Sequence, residues 1–539
     1  MNKRNFEYRI LEIIPGFVTW CVLAMPFVLS FLAPIYLAYF ILIFDLYWMV
    51  KAAVFGVRLI SSYKHMKREA RLDWRARCVK ISQNLDKFIE DLKHQLYESR
   101  GFTQLKLREE LNMLIHLQGL KDSFIPWDKI RHFIILPTYG ESYETLEASL
   151  SSYAESDYPK SKIVVVLAIE GREGEPAKEK VARLERKFSK TFGDLFHTIH
   201  PDGLSGELKA KGANATWAAH EIERYAKKHE IPTDHIMIST FDSDTRTHPK
   251  YFANLTYKYI TNPDRDRRSY QPIPLFSNNI WETRSLMRLN ALSSTFWQMI
   301  ESTRPWRLVN FSSQAMSLKT LIAIDFWDVS IISEDSRQYY RAFFKFEGDH
   351  LAIPLFTPVY MDAVLADTFW KTLRNQYLQK RRWAWGVEHF PYLVLEVQKH
   401  PEIAFWKKAI TLYRHFEGTI SWSTSSLLIA MGAWLPIILN PAFRNTVLAY
   451  NVPLFASYLL SLTWIGLIMS AAISMQLLPP RPKKYGPFKT IKMVLQWILV
   501  PIHTIFFGSI PAIDAQTRLM FGKYLGFWVT PKHFVKRDK

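Results

Sequence analysis

Cysteine is nearly absent, with Cys21 and Cys78 the two in 539 residues, and Cys21 lies inside an apolar run. Two thiols cannot build a disulfide framework or a Cys-rich zinc module, so redox chemistry and structural zinc are set aside. Acidic residues are the scarcer charge, 50 Asp and Glu against 69 Lys and Arg. The resulting net charge of +19 asks for an anionic partner: nucleic acid, an anionic lipid surface or a phosphorylated substrate. Charge of either sign is missing over long stretches, as between Glu12 and Asp45. What is present excludes a disordered or low-complexity chain, since 48% of residues are hydrophobic and 15% aromatic.

The mean hydropathy of −0.08 averages apolar ends with a charged middle. A bilayer-crossing helix needs about 20 apolar residues, so the run after Glu12 suffices for one span and most of another, with Pro26 and Pro34 marking the break. The reading is a helix from Ile13 to Phe31 and a second from Ile35 to Ile60. Lys3, Arg4 and Arg9 precede this hairpin and Arg58, Lys64, Lys67, Arg68, Arg71, Arg75 and Arg77 follow it, which puts both ends in the cytoplasm. No small-x-small cleavage site follows the apolar run, so it is expected to stay attached. Asp45 and Lys51 sit in the second helix, where a charge at membrane depth costs about 2.5–3.5 kcal/mol. Lys51 is expected to snorkel, and Asp45 to pair within the bundle or border a passage.

Three more uncharged runs follow: Gly418 to Ala442, Asn445 to Pro480 and Met493 to Ile513. Arg481, Lys483 and Lys484 put the loop between the second and third of these runs in the cytoplasm, so five crossings would place the tail outside although it carries the basic Lys532, Lys536, Arg537 and Lys539. Pro501 and Pro511 interrupt the last run, which is therefore expected to be re-entrant or interfacial. Glu402 to Ile410 is amphipathic and reads as an interfacial helix. The resulting plan is a transmembrane hairpin (1–62), a helical connector (63–130), an α/β domain (131–392), an interfacial helix (393–416), transmembrane or re-entrant helices (417–513) and an amphipathic tail (514–539). The tail is too short for a separate regulatory domain.

In the middle, Lys64 to Leu120 is helical, charged and without glycine before Gly101. Its basic surface reads as solvated and membrane-facing, not as a nucleic-acid site. From Arg131 onward short β-branched runs, His132–Leu136, Lys162–Leu167 and His235–Ile238, alternate with polar helical segments, the signature of a mostly parallel sheet covered by helices. Ligands in such sheets lie beyond the carboxyl ends of the strands. There the chain places Pro137-Thr138-Tyr139-Gly140-Glu141, Ile169-Glu170-Gly171-Arg172-Glu173 and Phe241-Asp242-Ser243-Asp244-Thr245. Two aspartates one residue apart can offer oxygen ligands to Mg²⁺ or Mn²⁺, a bound diphosphate completing the shell. Downstream lie Ser333-Glu334-Asp335 and Gln379-Lys380-Arg381-Arg382-Trp383.

In this order the elements resemble the membrane-integrated family 2 glycosyltransferases, the group of cellulose, chitin and hyaluronan synthases. Asp242-Ser243-Asp244 matches that family's D-x-D, Glu334-Asp335 its acidic pair, Gln379 through Trp383 its Q-x-x-R-W, and Phe527 through Lys532 its F-x-V-T-x-K gating loop. Lys209-Ala-Lys211-Gly-Ala-Asn214 is similar to its K-A-G-A-L-N, except that Lys211 stands at a usual glycine. Other departures are Glu170 for aspartate, Gly140 for asparagine and Ser333 for threonine, and Asn310-Phe-Ser-Ser-Gln314 matches the acceptor segment poorly.

The resemblance implies a GT-A, Rossmann-like α/β domain inserted between N- and C-terminal transmembrane helices. It implies inverting transfer from a nucleotide-diphosphate sugar, expected to be a UDP-sugar, to a polysaccharide or lipid acceptor at the bilayer, with Mg²⁺ or Mn²⁺ as cofactor. Asp335 would be the general base. Thr138, Tyr139, Glu141, Glu170, Lys209, Asp242, Gln379, Arg382, Thr530 and Lys532 would bind the nucleotide, Asp242 and Asp244 the metal, and Glu334 and Trp383 the acceptor. Read singly, the same residues have plainer roles: Asp242 and Asp244 an exposed turn, Glu334 and Asp335 a helix N-terminal acid pair, Arg381 and Arg382 a solvated basic face, Trp383 an interface anchor. His248 reads as structural. Processive synthesis with translocation, single transfer to a lipid, and a noncatalytic transporter or scaffold are the three functions in view.

Overall fold

The computed structural model describes residues 6–120, 124–526 and 528. Lys3, Arg4, Thr530 and Lys532, and with the last two most of the F-x-V-T-x-K element, lie outside the described residues. The chain forms two compact units, one comprising Lys64–Leu275 and Arg304–Met361, the other Met1–Tyr63, Phe276–Thr303 and Asp362–Lys539.

The first of these holds an eight-stranded mixed sheet in the order β3-β2-β1-β4-β7-β6-β8-β5. Its strands are β1 (Arg131–Thr138), β2 (Ile163–Glu170), β3 (Asp194–His200), β4 (Ile236–Thr240), β5 (Arg246–Thr247), β6 (Arg268–Leu275), β7 (Gln314–Ser317) and β8 (Leu351–Tyr360). β3, β2, β1 and β4 run parallel, joined by helical crossovers. β7 is antiparallel to β4 and to β6, and β5 to β8, while β6 and β8 are parallel to each other, so six of the eight strands share one direction and the sheet is mostly parallel, as expected. β2 is buried along its whole length, which is why Ile163–Ile169 reads as a continuous apolar, mostly β-branched run and not as an alternation. One face packs Ile134, Leu136, Val165 and Leu167 beneath Leu146, Leu150 and Tyr153, and the other packs Phe133, Ile135, Val164 and Val166 against Ala215, Ala218, Ala219 and Ile222. Helices cover both faces, as α/β patterning requires.

The second unit is helical. Among the described residues four helices are long and apolar enough to cross a membrane: Phe6–Leu32, Pro34–Arg71, Val447–Leu477 and Pro487–Met520. The second outruns its expected end at Ile60, because no glycine or proline interrupts Ser61–Arg71. The run from Gly418 to Ala442 does not stand as a separate span. It shares one continuous helix, Phe405–Met431, with the segment expected to lie at the interface, and Lys407, Lys408, Arg414 and Glu417 load that helix with charge. The last apolar run is irregular, as its prolines imply, with a 3₁₀ turn at Gln496–Leu499 and a π turn at Ile505–Ser509. Its end packs on Phe6–Leu32. A Cβ on Gly16 would stand 2.8 Å from the Gln516 carbonyl oxygen, and Trp20 Nε1 donates to Thr517 Oγ1 at 3.0 Å. Asp45 is buried with Oδ1 unpartnered, and Lys51 pairs with Glu417 at 3.4 Å.

Candidate functional site

The parallel strands deliver their carboxyl ends to one edge of the sheet. β4 ends at Thr240, and the turn after it carries Asp242 and Asp244. This turn is held through its backbone: Ser149 Oγ donates to the Ser243 carbonyl at 2.8 Å and Tyr153 Oη to the Thr245 carbonyl at 2.9 Å. Both donors lie on the helix Tyr143–Ala154, which Ser142 caps by accepting from the Thr145 amide. Asp244 is buried and Asp242 partly so.

Onto this turn comes Lys211, the first residue of the helix Lys211–Lys228. Its Nζ is 3.0 Å from Asp242 Oδ1 and 3.7 Å from Asp335 Oδ1. Burial works against the ammonium, but the carboxylates of Asp242, Asp335 and Glu334 outweigh it and hold the lysine above its ordinary range. Glu334 and Asp335 open the helix Glu334–Lys345, so the plain reading of them as a helix N-terminal acid pair is also met. The two helix starts pack closely, because a Cβ on Gly212 would lie 3.0 Å from the Asp328 carbonyl oxygen and 3.1 Å from Glu334 Cβ. Gln314 Nε2 donates to Asp335 Oδ1 at 3.4 Å and to Gln338 Oε1 at 2.7 Å. Its neighbour Ser313 sits at φ +67°, in the left-handed region that favours glycine.

Next along the edge, Glu170 ends β2 with Oε2 3.4 Å from Arg172 Nε and 3.7 Å from His200 Nδ1, while His200 Nε2 contacts Glu207 at 2.8 Å. Burial raises the Glu170 carboxyl above its usual range, with Arg172 and His200 pulling the other way. Arg172 also lies 4.2 Å over the ring of Tyr139, and Glu141 accepts from the Tyr139 amide at 2.5 Å. Thr138 is buried at the end of β1 with its hydroxyl unpartnered. Lys209 turns elsewhere, to Asp202 at 2.7 Å on the exposed surface.

Thus Thr138, Tyr139, Glu141, Glu170, Asp242 and Asp244 share the carboxyl edge of the parallel strands, and Asp335 joins Asp242 through Lys211. Gln379, Arg382 and Trp383 belong to the helical unit, on the helix Phe369–Ala384. There Gln379 accepts from Gln376 at 3.0 Å and Arg381 pairs with Asp514 at 2.9 Å. Arg382 is half-buried, and Trp383 lies under Lys380 Nζ at 4.5 Å. Sequence reasoning did not assign Lys211, His200 and Arg172 to the site. The only signal for Lys211 was its standing at a usual glycine, and for Arg172 its place in the strand-end series.

Among the described residues, no three Asp, Glu, His or Cys side chains gather as a ready cage for a metal ion. A phosphate-serving Mg²⁺ or Mn²⁺ needs only one or two carboxylates, water and substrate oxygens supplying the rest, and Asp242 with Asp244 meets that requirement.

No known family profile and no curated protein matches the chain. Solved structures similar to it include the mannosyltransferase PcManGT from Pyrobaculum calidifontis in complex with GDP-Man and Mn2+, at 15% identity and a TM-score of 0.37 over 71% of this chain and 99% of that chain. Another is S. aureus TarS 1-349 in complex with UDP-GlcNAc, at 13% identity and a TM-score of 0.32 over 65% of this chain and 93% of that one.

Proposed function

We propose that this chain is a membrane-integrated glycosyltransferase of the GT-A type that transfers a sugar from a nucleotide diphosphate with inversion. The observation that carries the reading is the meeting of Asp242 and Asp335, about ninety residues apart in sequence, around Lys211 at the carboxyl edge of a parallel sheet. In this reading Tyr139, Glu141 and Glu170 receive the base and ribose. Asp335 accepts the proton of the acceptor hydroxyl while that oxygen attacks the anomeric carbon from the face opposite the diphosphate. The carbon–oxygen bond to the diphosphate breaks, and its electron pair leaves with the nucleotide. Asp242 and Asp244 would hold a divalent metal, which when bound neutralises charge on the leaving diphosphate. The sequence resemblance assigns Gln379 and Arg382 to the donor and Trp383 to the acceptor sugar, through its apolar ring face.

Four crossings return the chain to the side on which it entered, which supports a cytoplasmic placement for the basic segment after the hairpin, the sheet unit and the tail, in a cell or plasma membrane, and leaves the loop of Arg481, Lys483 and Lys484 on the opposite side. On this basis the product is a polysaccharide extended processively and passed through the helical unit. The test is a screen of nucleotide sugars for nucleotide release by the wild type and Asp335→Asn, followed by sizing of the product. Long chains support processive synthesis, a single lipid-soluble glycoside replaces it with transfer to a lipid, and no release with any donor removes the enzyme reading.

A further inference from the structure

The carboxylates of the sheet edge already hold a cation, and it belongs to the protein. Lys211 places its Nζ 3.0 Å from Asp242 Oδ1 and 3.7 Å from Asp335 Oδ1, with only 12% of its side chain exposed. The start of its helix cannot retreat. Asn214 Nδ2 donates to the Ala168 carbonyl at 2.8 Å, tying the first turn to β2, and Gly212 is pressed against Asp328 and Glu334. Only the four-carbon stem of Lys211 has freedom to move. A divalent ion approaching Asp242 alone therefore meets an ammonium with the same ligand oxygen, and like charges at this separation repel strongly outside bulk water. A nucleoside diphosphate changes the balance, because its oxygens supply enough negative charge for both cations.

Resting on the glycosyltransferase reading, we propose that Lys211 is a built-in counter-ion which a divalent metal must displace from Asp242, so that the metal enters together with the donor diphosphate and the diphosphate takes over Lys211. Lys211 thereby makes metal binding conditional on nucleotide, and gives nucleotide some affinity before any metal arrives.

The test uses the purified full chain in detergent, as wild type, Lys211→Met and Lys211→Arg. Mn²⁺ binding is read from the spin-resonance signal of the free ion, and UDP and GDP binding by calorimetry without metal. Lys211→Met is expected to bind Mn²⁺ alone at least about tenfold more tightly than the wild type, and its preferred nucleotide at least about tenfold more weakly. Lys211→Arg stays near the wild type in both. Loss of fold would weaken both ligands, so opposite signs identify the counter-ion role. Equal Mn²⁺ affinities, or weakening of both ligands in a variant that melts like the wild type, overturn the proposal. Should Lys211→Met not fold, the paired Lys211→Met, Asp335→Asn variant removes one charge of each sign and carries the same two expectations. If the wild type binds neither UDP nor GDP, with or without Mn²⁺, the donor reading falls and takes the diphosphate half of the proposal with it. The Mn²⁺ titration then still decides whether Lys211 excludes metal.

Discussion

Each unit of the molecule buries a lysine, and the two have opposite surroundings. In the sheet unit Lys211 faces Asp242, Asp335 and Glu334, and their field keeps it charged in spite of burial. In the helical unit Lys380 meets the Ser294 hydroxyl at 3.2 Å and the Trp383 ring at 4.5 Å, with no carboxylate among its partners in the described residues. Burial alone pushes it down to about 7. Depth sets the penalty for holding charge, and the neighbours decide whether it is met.

The comparison can be broken first at the acids. Asp335→Asn leaves Lys211 one anion short and removes the proposed base, so nucleotide release is expected to fall by about 10²- to 10⁴-fold, the usual contribution of general base catalysis. Lys380 offers the next largest effect. Below about pH 7 it is charged both folded and unfolded, and the folded state bears the whole burial penalty. Above that value the unfolded chain still binds a proton that the folded chain has released, so stability rises with pH up to the ordinary lysine range, by at most about 1.4 kcal/mol per pH unit. Lys380→Met should remove this rise, as followed by unfolding in detergent across pH 7 to 10. Gly212→Val tests the frame that presents Lys211: overpacking against Asp328 and Glu334 should destabilise the sheet unit by about 1–3 kcal/mol, read as a lower melting temperature. The smallest effect belongs to Lys209→Ala. With its partner Asp202 out on the surface, it should leave UDP affinity within about twofold of the wild type, a control against which Lys211 variants are judged.

Legibility in the sequence followed the same division. β1, β2 and β4 were visible because central parallel strands are continuous β-branched runs. β6 and β8 were hidden by Pro272, Pro274, Pro354 and Pro358, residues that argue against a strand, and the register does shift between Pro272 and Pro274. β7 is too short to leave a pattern. The apolar helices were legible as uncharged runs, but not the fusion of Glu402–Ile410 with Gly418 onward, since no breaker separates an interfacial from an embedded helix there. The acids of the site could be placed at strand and helix ends from their order alone. Lys211 could not, because its meaning depends on a helix bringing it back to Asp242 across 31 residues.

The D-x-D turn owes its shape to main-chain carbonyls gripped by Ser149 and Tyr153, and to the Phe241 amide, which donates to the Ile135 carbonyl at 3.0 Å. Scaffold and reagent are thereby separable at this point. At the half-exposed position 242, aspartate is expected to exchange for its neutral look-alike with this backbone grip intact, so titrating ions or nucleotides against that variant would report on charge and not on a collapsed bend.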